Sequence, residues 1–197
     1  MPPGSPTPTP RRRSRNAPGR YGLTSLGFHW VLAVTVLSTA GVGIWLMGLG
    51  YYDPWAPTAL WLHRALGVLA FTLLLLKLMW QRFQHKPPLE KGLTRFERGA
   101  AVAGHHLLNL MVFVLPVTGY LMSTTTGDAV PLVFGLEIPA SVQVTGPLKE
   151  ALPGLHAAMG FGILGLAAIH AAAAFKHQFF DRGHTLQRML PGRKPLE

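Results

Sequence analysis

The 197-residue chain contains no cysteine and few charged residues. Without cysteine, disulfides and thiolate metal sites are excluded. Charged residues make up 13% of the sequence and hydrophobic residues 49%, whereas a typical soluble domain carries about 25% charged residues. The mean hydropathy of +0.28 agrees with this balance. Such a chain has too little polar surface to cover itself in water, and the composition favours a membrane protein.

The formal net charge of +10 does not indicate a nucleic-acid partner. Nucleic-acid binding needs basic residues gathered on one face of a folded domain, whereas here they lie between apolar runs. Residues 1–20 combine Pro, Ser, Thr and Arg without apolar periodicity, and we predict that they form a disordered basic cytoplasmic tail. The apolar run that follows is too long for a secretory signal, so we expect it to be retained as a membrane helix.

Four apolar stretches approach the length of about 20 residues that crosses a bilayer. They cover residues 28–49, 60–80, 100–122 and 155–175. Proline, glycine and aspartate fill the segments between them, and Pro116 is expected to kink the third. The prediction is an all-α fold, a four-helix transmembrane bundle over residues 21–191, followed by a short cytoplasmic tail at residues 192–197.

The distribution of lysine and arginine predicts the orientation of the bundle, because positively charged loops stay in the cytoplasm. Of the 18 such residues, five lie in the N-terminal tail, five in the loop between the second and third stretches, and five in the C-terminal segment. Only Arg64 and Lys149 fall on the opposite, outward side, and Lys77 lies inside the second stretch. We therefore predict that both termini are cytoplasmic.

Four of the nine histidines, His29, His63, His156 and His170, lie in the apolar stretches at places where a membrane helix gains nothing from a polar ring. An ionisable side chain there is costly and indicates function. His156 and His170 are 14 residues apart, which places them within about 40° on one helix face and about 21 Å apart along the axis. Under the predicted orientation, His29 lies at the cytoplasmic depth of His170, and His63 at the outward depth of His156. The sequence thus predicts two pairs, His29 with His170 and His63 with His156.

Two imidazoles at equal depth on different helices are what a six-coordinate b-type haem requires, and two filled axial positions favour electron transfer. Gly67 follows His63, and Gly160 follows His156, by four residues, about one turn, which leaves room for a porphyrin. With no cysteine, the haem would be held non-covalently. Zinc is an alternative, but it normally takes four ligands where each depth offers two. Packing histidines in a haem-free transport or structural membrane protein are another.

Other polar residues are candidates for contacts to a haem propionate or a quinone: Arg64, Lys77, His105 and His177. Arg64 follows a predicted ligand and can pair with a propionate. Lys77 lies 14 residues after His63 and shares its approximate face at the cytoplasmic depth, although a snorkelling lysine is the alternative. His105 opens the third stretch, where interfacial solvation is the alternative role, and His177 lies beyond His170.

Several short motifs follow one another in a distinctive order. They are Gly27-Phe28-His29-Trp30, Leu62-His63-Arg64-Ala65-Leu66-Gly67, Gly104-His105-His106, Leu115-Pro116-Val117-Thr118-Gly119, Phe134-Gly135-Leu136, and the segment from His156 to His170 with the four alanines after it. Across residues 21–191, this set resembles the bacterial cytochrome b561 family, which is related to the membrane b subunits of hydrogenases and formate dehydrogenases.

The resemblance implies the same ligand pairing, with two haem b groups in a multi-pass protein of the bacterial inner membrane that exchanges electrons with ubiquinone of the quinone pool. Members of the family include a superoxide oxidase that passes an electron from periplasmic superoxide to the quinone pool. The implied activity is therefore an oxidoreductase of the superoxide:ubiquinone type or an electron-transfer protein, with superoxide or a periplasmic redox protein as donor. The alternative within electron transfer is a membrane b subunit of a periplasmic hydrogenase or dehydrogenase.

Overall fold

A computed structural model of the chain describes residues 14–16, 20–90, 92–132 and 135–191. Its elements in chain order are α1 Leu23–Gly48, α2 Ala56–Arg82, α3 Arg95–Thr126, β1 Val130–Pro131, β2 Glu137–Ile138, α4 Pro147–Phe179 and α5 Thr185–Arg188. The two strands pair antiparallel in a short hairpin between α3 and α4. Helices α1 to α4 are each long and apolar enough to cross a membrane. The predicted four-helix transmembrane bundle is confirmed.

Local capping explains why the helices extend beyond the apolar stretches. At the start of α3, the Thr94 hydroxyl accepts a hydrogen bond from the backbone N–H of Glu97, and the Glu97 carboxylate accepts one from the backbone N–H of Thr94. Such a capping box satisfies two backbone donors that a helix start leaves free. At the other end, Gly127 adopts a φ of 77° and closes the helix in the left-handed conformation, which glycine adopts without steric cost.

The bundle packs α1 against α2, α2 against α3, and α3 against α4. Its central core takes at least one residue from each of these helices: Leu32, Ala70, Leu74, Val112 and Ile163. Many other large apolar side chains are exposed, among them Val34 and Ile169. An apolar exterior around a thin core is expected where lipid, not water, surrounds the helices.

Polar contacts secure the ends of the bundle. The Trp80 indole donates to the Ser25 hydroxyl at 3.1 Å, and the Trp30 indole donates to the carbonyl of Met189 at 2.7 Å. The Tyr120 hydroxyl donates to the carbonyl of Pro139 at 3.0 Å and anchors the hairpin segment to α3. α3 continues through Pro116 without interruption, so the kink stays a prediction.

Most of the predicted terminal tails lie outside the described residues, namely residues 1–13, 17–19 and 192–197. Within the described part of the N-terminal segment, Asn16 contacts the end of α2. Its side-chain amide donates to the carbonyl of His85 at 2.9 Å, and its backbone N–H donates to the Gln84 side chain at 3.2 Å. The chain is therefore fixed to the bundle a few residues before α1 begins.

Candidate functional site

The four intramembrane histidines lie in two groups inside the bundle. The ring centroids of His63 and His156 are 5.9 Å apart, and those of His29 and His170 are 6.4 Å apart. All four side chains are half-buried. Ile163 of the central core is placed midway along α4 between His156 and His170. An apolar layer therefore separates the two pairs along the bundle.

His63 is held against α1 by a carbonyl and a glycine. Its Nδ1 lies 3.0 Å from the carbonyl oxygen of Thr39, and because a carbonyl can only accept, Nδ1 carries the proton. A Cβ on Gly43 would come within 2.9 Å of His63 Cε1. Residues 39 and 43 are one turn apart on the same helix face, so glycine at 43 opens the Thr39 carbonyl to the imidazole.

His156 is held against α3 in an equivalent way. Its Nδ1 lies 2.8 Å from the Thr118 hydroxyl oxygen, which in turn lies 2.8 Å from the carbonyl oxygen of Leu115. The single hydroxyl proton goes to that carbonyl, so the oxygen accepts from His156 and Nδ1 is again the protonated nitrogen. A Cβ on Gly119 would come within 3.4 Å of His156 Cε1. The His156 ring therefore packs at contact distance against α3 at Gly119.

The donor set at His63 and His156 fits a haem. Because Nδ1 of each ring is the hydrogen-bond donor, Nε2 keeps its lone pair for a metal. Nothing lies within 4 Å of the Cβ position of Gly67 or Gly160. These glycines stand one turn beyond the histidines on the same helix faces, so open space adjoins both rings.

The surroundings of His29 and His170 are different. Among the described residues neither ring has a hydrogen-bond partner, and the His29 ring packs edge-on against Trp30 at 5.2 Å. The His105 ring lies 5.1 Å from that of His170, and its Nδ1 lies 2.6 Å from the carbonyl oxygen of Ala101. The structure thus brings His105, one of the predicted contact residues, to the second pair.

Lys77 also lies near this second pair. Its ammonium group donates to the side-chain oxygen of Asn109 at 3.1 Å, linking α2 to α3. The side chain is half-buried, and within the described residues no carboxylate pairs with it. Asn109 lies one turn beyond His105 on α3, and the His105 ring contacts that of His170, so Lys77 lies at the depth of the second pair.

Arg64 is engaged by an acid. Its guanidinium lies 3.1 Å from Asp128 Oδ2, in the turn after α3. The Thr126 hydroxyl donates to the same oxygen at 2.9 Å, and this hydrogen bond, together with that of Arg64, holds the pKa of Asp128 below its ordinary value. Arg64 therefore sits beside His63 in sequence with its charge already balanced.

His177 belongs to a polar cluster at the end of α4. Its Nδ1 lies 2.7 Å from Asp181 Oδ2, and the Lys176 ammonium lies 2.7 Å from the same oxygen and 2.8 Å from Glu97 Oε1. Lys176 and His177 hold the pKa of Asp181 below its ordinary value. Glu97, His177 and Asp181 could together hold a metal ion by distance, but the Lys176 ammonium already supplies the positive charge between the two acids.

Sequence reasoning missed the residues that hold the histidine rings and Lys77 in position. These are Thr39 and Gly43 on α1, Thr118 and Gly119 on α3, and Asn109 beside Lys77. For the pair on α3 a signal was available, since the motif ending in Thr118-Gly119 lies at the same end of the bundle as His156. For the others, the rotation of each helix about its axis decides the contact, and one sequence does not reveal that rotation.

Fold and site together define a class: a four-helix membrane protein with two intramembrane histidine pairs on opposite sides of an apolar layer. A family model described as prokaryotic cytochrome b561 matches residues 20–192. The chain belongs to the prokaryotic cytochrome b561 family, and is therefore a haem b-binding membrane protein of electron transport.

Named relatives agree with this assignment. The chain is 33% identical over 175 residues to cytochrome b561 homolog 2 of Escherichia coli K12, covering 89% of this chain and 93% of the relative. It is 26% identical over 179 residues to a probable superoxide oxidase of Yersinia pestis, covering 89% and 98%. Cytochrome b561 homolog 1 of Escherichia coli K12 is 24% identical over 182 residues, covering 89% and 99%.

Proposed function

We propose that the protein binds two haem b groups, one between His29 and His170 and one between His63 and His156. The observation that carries this proposal is the separation of the rings, 6.4 Å and 5.9 Å between centroids. An imidazole nitrogen binds a metal at about 2 Å, and the ring centre lies about 1 Å further, so two imidazoles that held one metal ion between them would have centroids about 6 Å apart. Both pairs are spaced for one iron.

A haem held by the two histidines of a pair would supply a one-electron centre. The chain's own residues orient the ligands. Thr39 and Thr118 accept the Nδ1 protons of His63 and His156, which directs Nε2 of each ring to the metal and raises its basicity. The apolar core residues between the pairs exclude water from the space between the two sites.

The proposed direction is inward, from the outward side to ubiquinone on the cytoplasmic side, with both termini in the cytoplasm. The positive-inside distribution of lysine and arginine supports this orientation. Lys77, His105 and His177 are the candidates for contacts to a propionate or a quinone on the cytoplasmic side. Arg64 is the candidate on the outward side, where Asp128 competes for it.

Haem stoichiometry tests the assignment directly. Purified wild-type protein should show a b-type α-band on reduction and two haems per chain, and His170→Ala should retain one haem. His106→Ala is the matched control, because His106 is an exposed histidine outside both pairs. An absent α-band would sink the proposal, and two haems in His170→Ala would refute the pairing.

The charge of the predicted outward surface indicates which kind of electron donor the protein can bind. The predicted outward side carries Arg64 and Lys149 against four carboxylates: Asp53, Asp128, Glu137 and Glu150. An acidic surface repels a superoxide anion and attracts a basic protein. Exposed aromatic residues on the same side, Tyr51 and Tyr52, offer contact area for such a partner.

This surface favours, as a second candidate, a b subunit that accepts electrons from a periplasmic redox protein, whereas the relative named as a probable superoxide oxidase favours superoxide. Stopped-flow mixing of the quinone-loaded protein with superoxide decides between them. Haem reduction that is complete within the dead time of the instrument supports superoxide as the electron donor. No reduction, together with copurification of a large soluble oxidoreductase, supports the second candidate.

A further inference from the structure

The two histidine pairs differ in their electrostatic surroundings. At His63 and His156, both Nδ1 protons go to acceptors on neighbouring helices, and the nearest arginine in sequence, Arg64, is paired with Asp128. Among the described residues, neither the His29 ring nor the His170 ring has a hydrogen-bond partner, and no carboxylate pairs with the nearby Lys77. These differences act on the reduction potential of a bound haem.

We propose that Lys77, held in place by Asn109, raises the reduction potential of the His29/His170 haem above that of the His63/His156 haem. The inference rests on the proposed haem assignments. A ferric haem gains one electron on reduction, so a nearby fixed cation stabilises the reduced form, and more strongly where low dielectric weakens screening. Lys77 is half-buried within α2, and its contact is a neutral amide, so its charge is not cancelled.

The hydrogen bonds at His63 and His156 increase the same difference in reduction potential between the two haems. Donation of Nδ1–H to an acceptor makes an imidazole a more basic ligand, which stabilises ferric iron and lowers the potential. The Thr39 carbonyl and the Thr118 hydroxyl do this for His63 and His156. The Lys77 charge and these hydrogen bonds would therefore both favour an electron on the His29/His170 haem over the His63/His156 haem. This is the direction of inward transfer.

Four variants test the role of the charge. Lys77→Met removes it, Lys77→Arg keeps it, and Asn109→Asp leaves Lys77 untouched while placing a carboxylate against it. Lys86→Met is the matched control, because Lys86 is an exposed lysine beyond the end of α2. The readout is an optical redox titration of purified dihaem protein, in which the component missing from His170→Ala identifies the His29/His170 haem.

In Lys77→Met and in Asn109→Asp, we expect the ratio of reduced to oxidised His29/His170 haem at a fixed ambient potential to fall about tenfold, or about 59 mV for one electron. Lys77→Arg and Lys86→Met should stay near wild type, and the other haem should not shift. Asn109→Asp keeps the test valid if Lys77→Met fails to fold. Unchanged potentials in both charge-cancelling variants, or equal shifts of both haems, would overturn the inference. Wild-type protein without two haems would instead refute the proposed function.

Discussion

At the scale of single residues, the sequence uses glycine to bring an imidazole onto a helix backbone. Gly43 follows Thr39 by one turn on α1, and Gly119 follows Leu115 by one turn on α3. On α1 the Thr39 carbonyl accepts the hydrogen bond of His63. On α3 the Thr118 hydroxyl accepts the hydrogen bond of His156 and donates its own to the Leu115 carbonyl. A Cβ at Gly43 would occupy the space of the His63 ring, whereas one at Gly119 would stand in van der Waals contact with the His156 ring.

Gly43→Ala should therefore displace His63 and remove one haem. The added Cβ would stand 2.9 Å from His63 Cε1, and such overpacking costs about 1–3 kcal/mol unless the ring moves. We expect the haem-to-protein ratio to fall from two to one, measured as the pyridine haemochromogen. Gly41→Ala is the matched control, since nothing lies within 4 Å of its Cβ position. Equal haem content in both variants would contradict the close contact of the His63 ring with Gly43.

Thr118→Val should weaken haem binding at His156 without removing the ligand. Valine keeps the volume but leaves the Nδ1 proton of His156 without its acceptor at 2.8 Å, and loss of such a partner lowers metal affinity about 10–100-fold. The measurement is the rate and extent of haem loss to an excess of a haem-scavenging protein. Thr125→Val serves as control, because its hydroxyl also donates to the carbonyl three residues earlier but contacts no histidine. Identical haem retention in the two variants would exclude a ligand-orienting role for Thr118.

The sequence predicted which histidines lie at the same depth but not the contacts around them. His29, His63, His156 and His170 could be paired by depth, because depth follows from position along each helix and the direction of each crossing. Contacts that depend on helix rotation, such as that of Lys77 with Asn109 or of His105 with the His170 ring, need the packed bundle. Whether the four histidines ligate iron stays a prediction.

At the scale of elements, the helices exceed the hydrophobic runs that revealed them. The third stretch was predicted at residues 100–122, whereas α3 spans Arg95–Thr126. Hydropathy marks only the part inside hydrocarbon, while capping by Thr94 and Glu97 extends the helix into the polar region. The number and order of crossings could be predicted for this reason, and their ends could not.

The cluster at the ends of α3 and α4 makes stability depend on pH. Lys176 bonds Glu97 of α3 and Asp181 after α4, and the pKa of Asp181 is lowered from 3.8. A lowered folded-state pKa means that the stabilisation is complete above the unfolded-state pKa and is lost as the pH falls through the folded-state value. Wild-type protein in detergent should therefore melt at a higher temperature than Asp181→Asn near neutral pH.

This difference in melting temperature should shrink to nothing as the pH is lowered below about 4. Glu150→Gln is a suitable control, because Glu150 is an exposed acid in the first turn of α4, away from the cluster. A gap between wild type and Asp181→Asn that persists unchanged at low pH would show that the aspartate acts through packing and not through its charge.

At the scale of the whole molecule, charge and hydropathy divide the protein into three layers. Basic residues collect on the predicted cytoplasmic side, the apolar bundle lies between, and carboxylates outnumber cations on the predicted outward side. The core residues Leu32, Leu74 and Ile163 stand between the two histidine pairs. The molecule thereby places one histidine pair toward each surface, and the sense of the proposed electron transfer depends on which surface faces the cytoplasm.

Cysteine labelling can determine that orientation, because the chain has no cysteine of its own. Tyr52 and Phe180 are 93% and 83% exposed, and lie at opposite ends of the bundle. Since basic loops stay in the cytoplasm, Tyr52→Cys should react with a membrane-impermeant maleimide in intact spheroplasts, and Phe180→Cys only after permeabilisation. The reverse pattern would place His29 and His170 on the outward side. The haem beside Lys77 would then meet the periplasmic donor first, and inward transfer would run against the potential order inferred above.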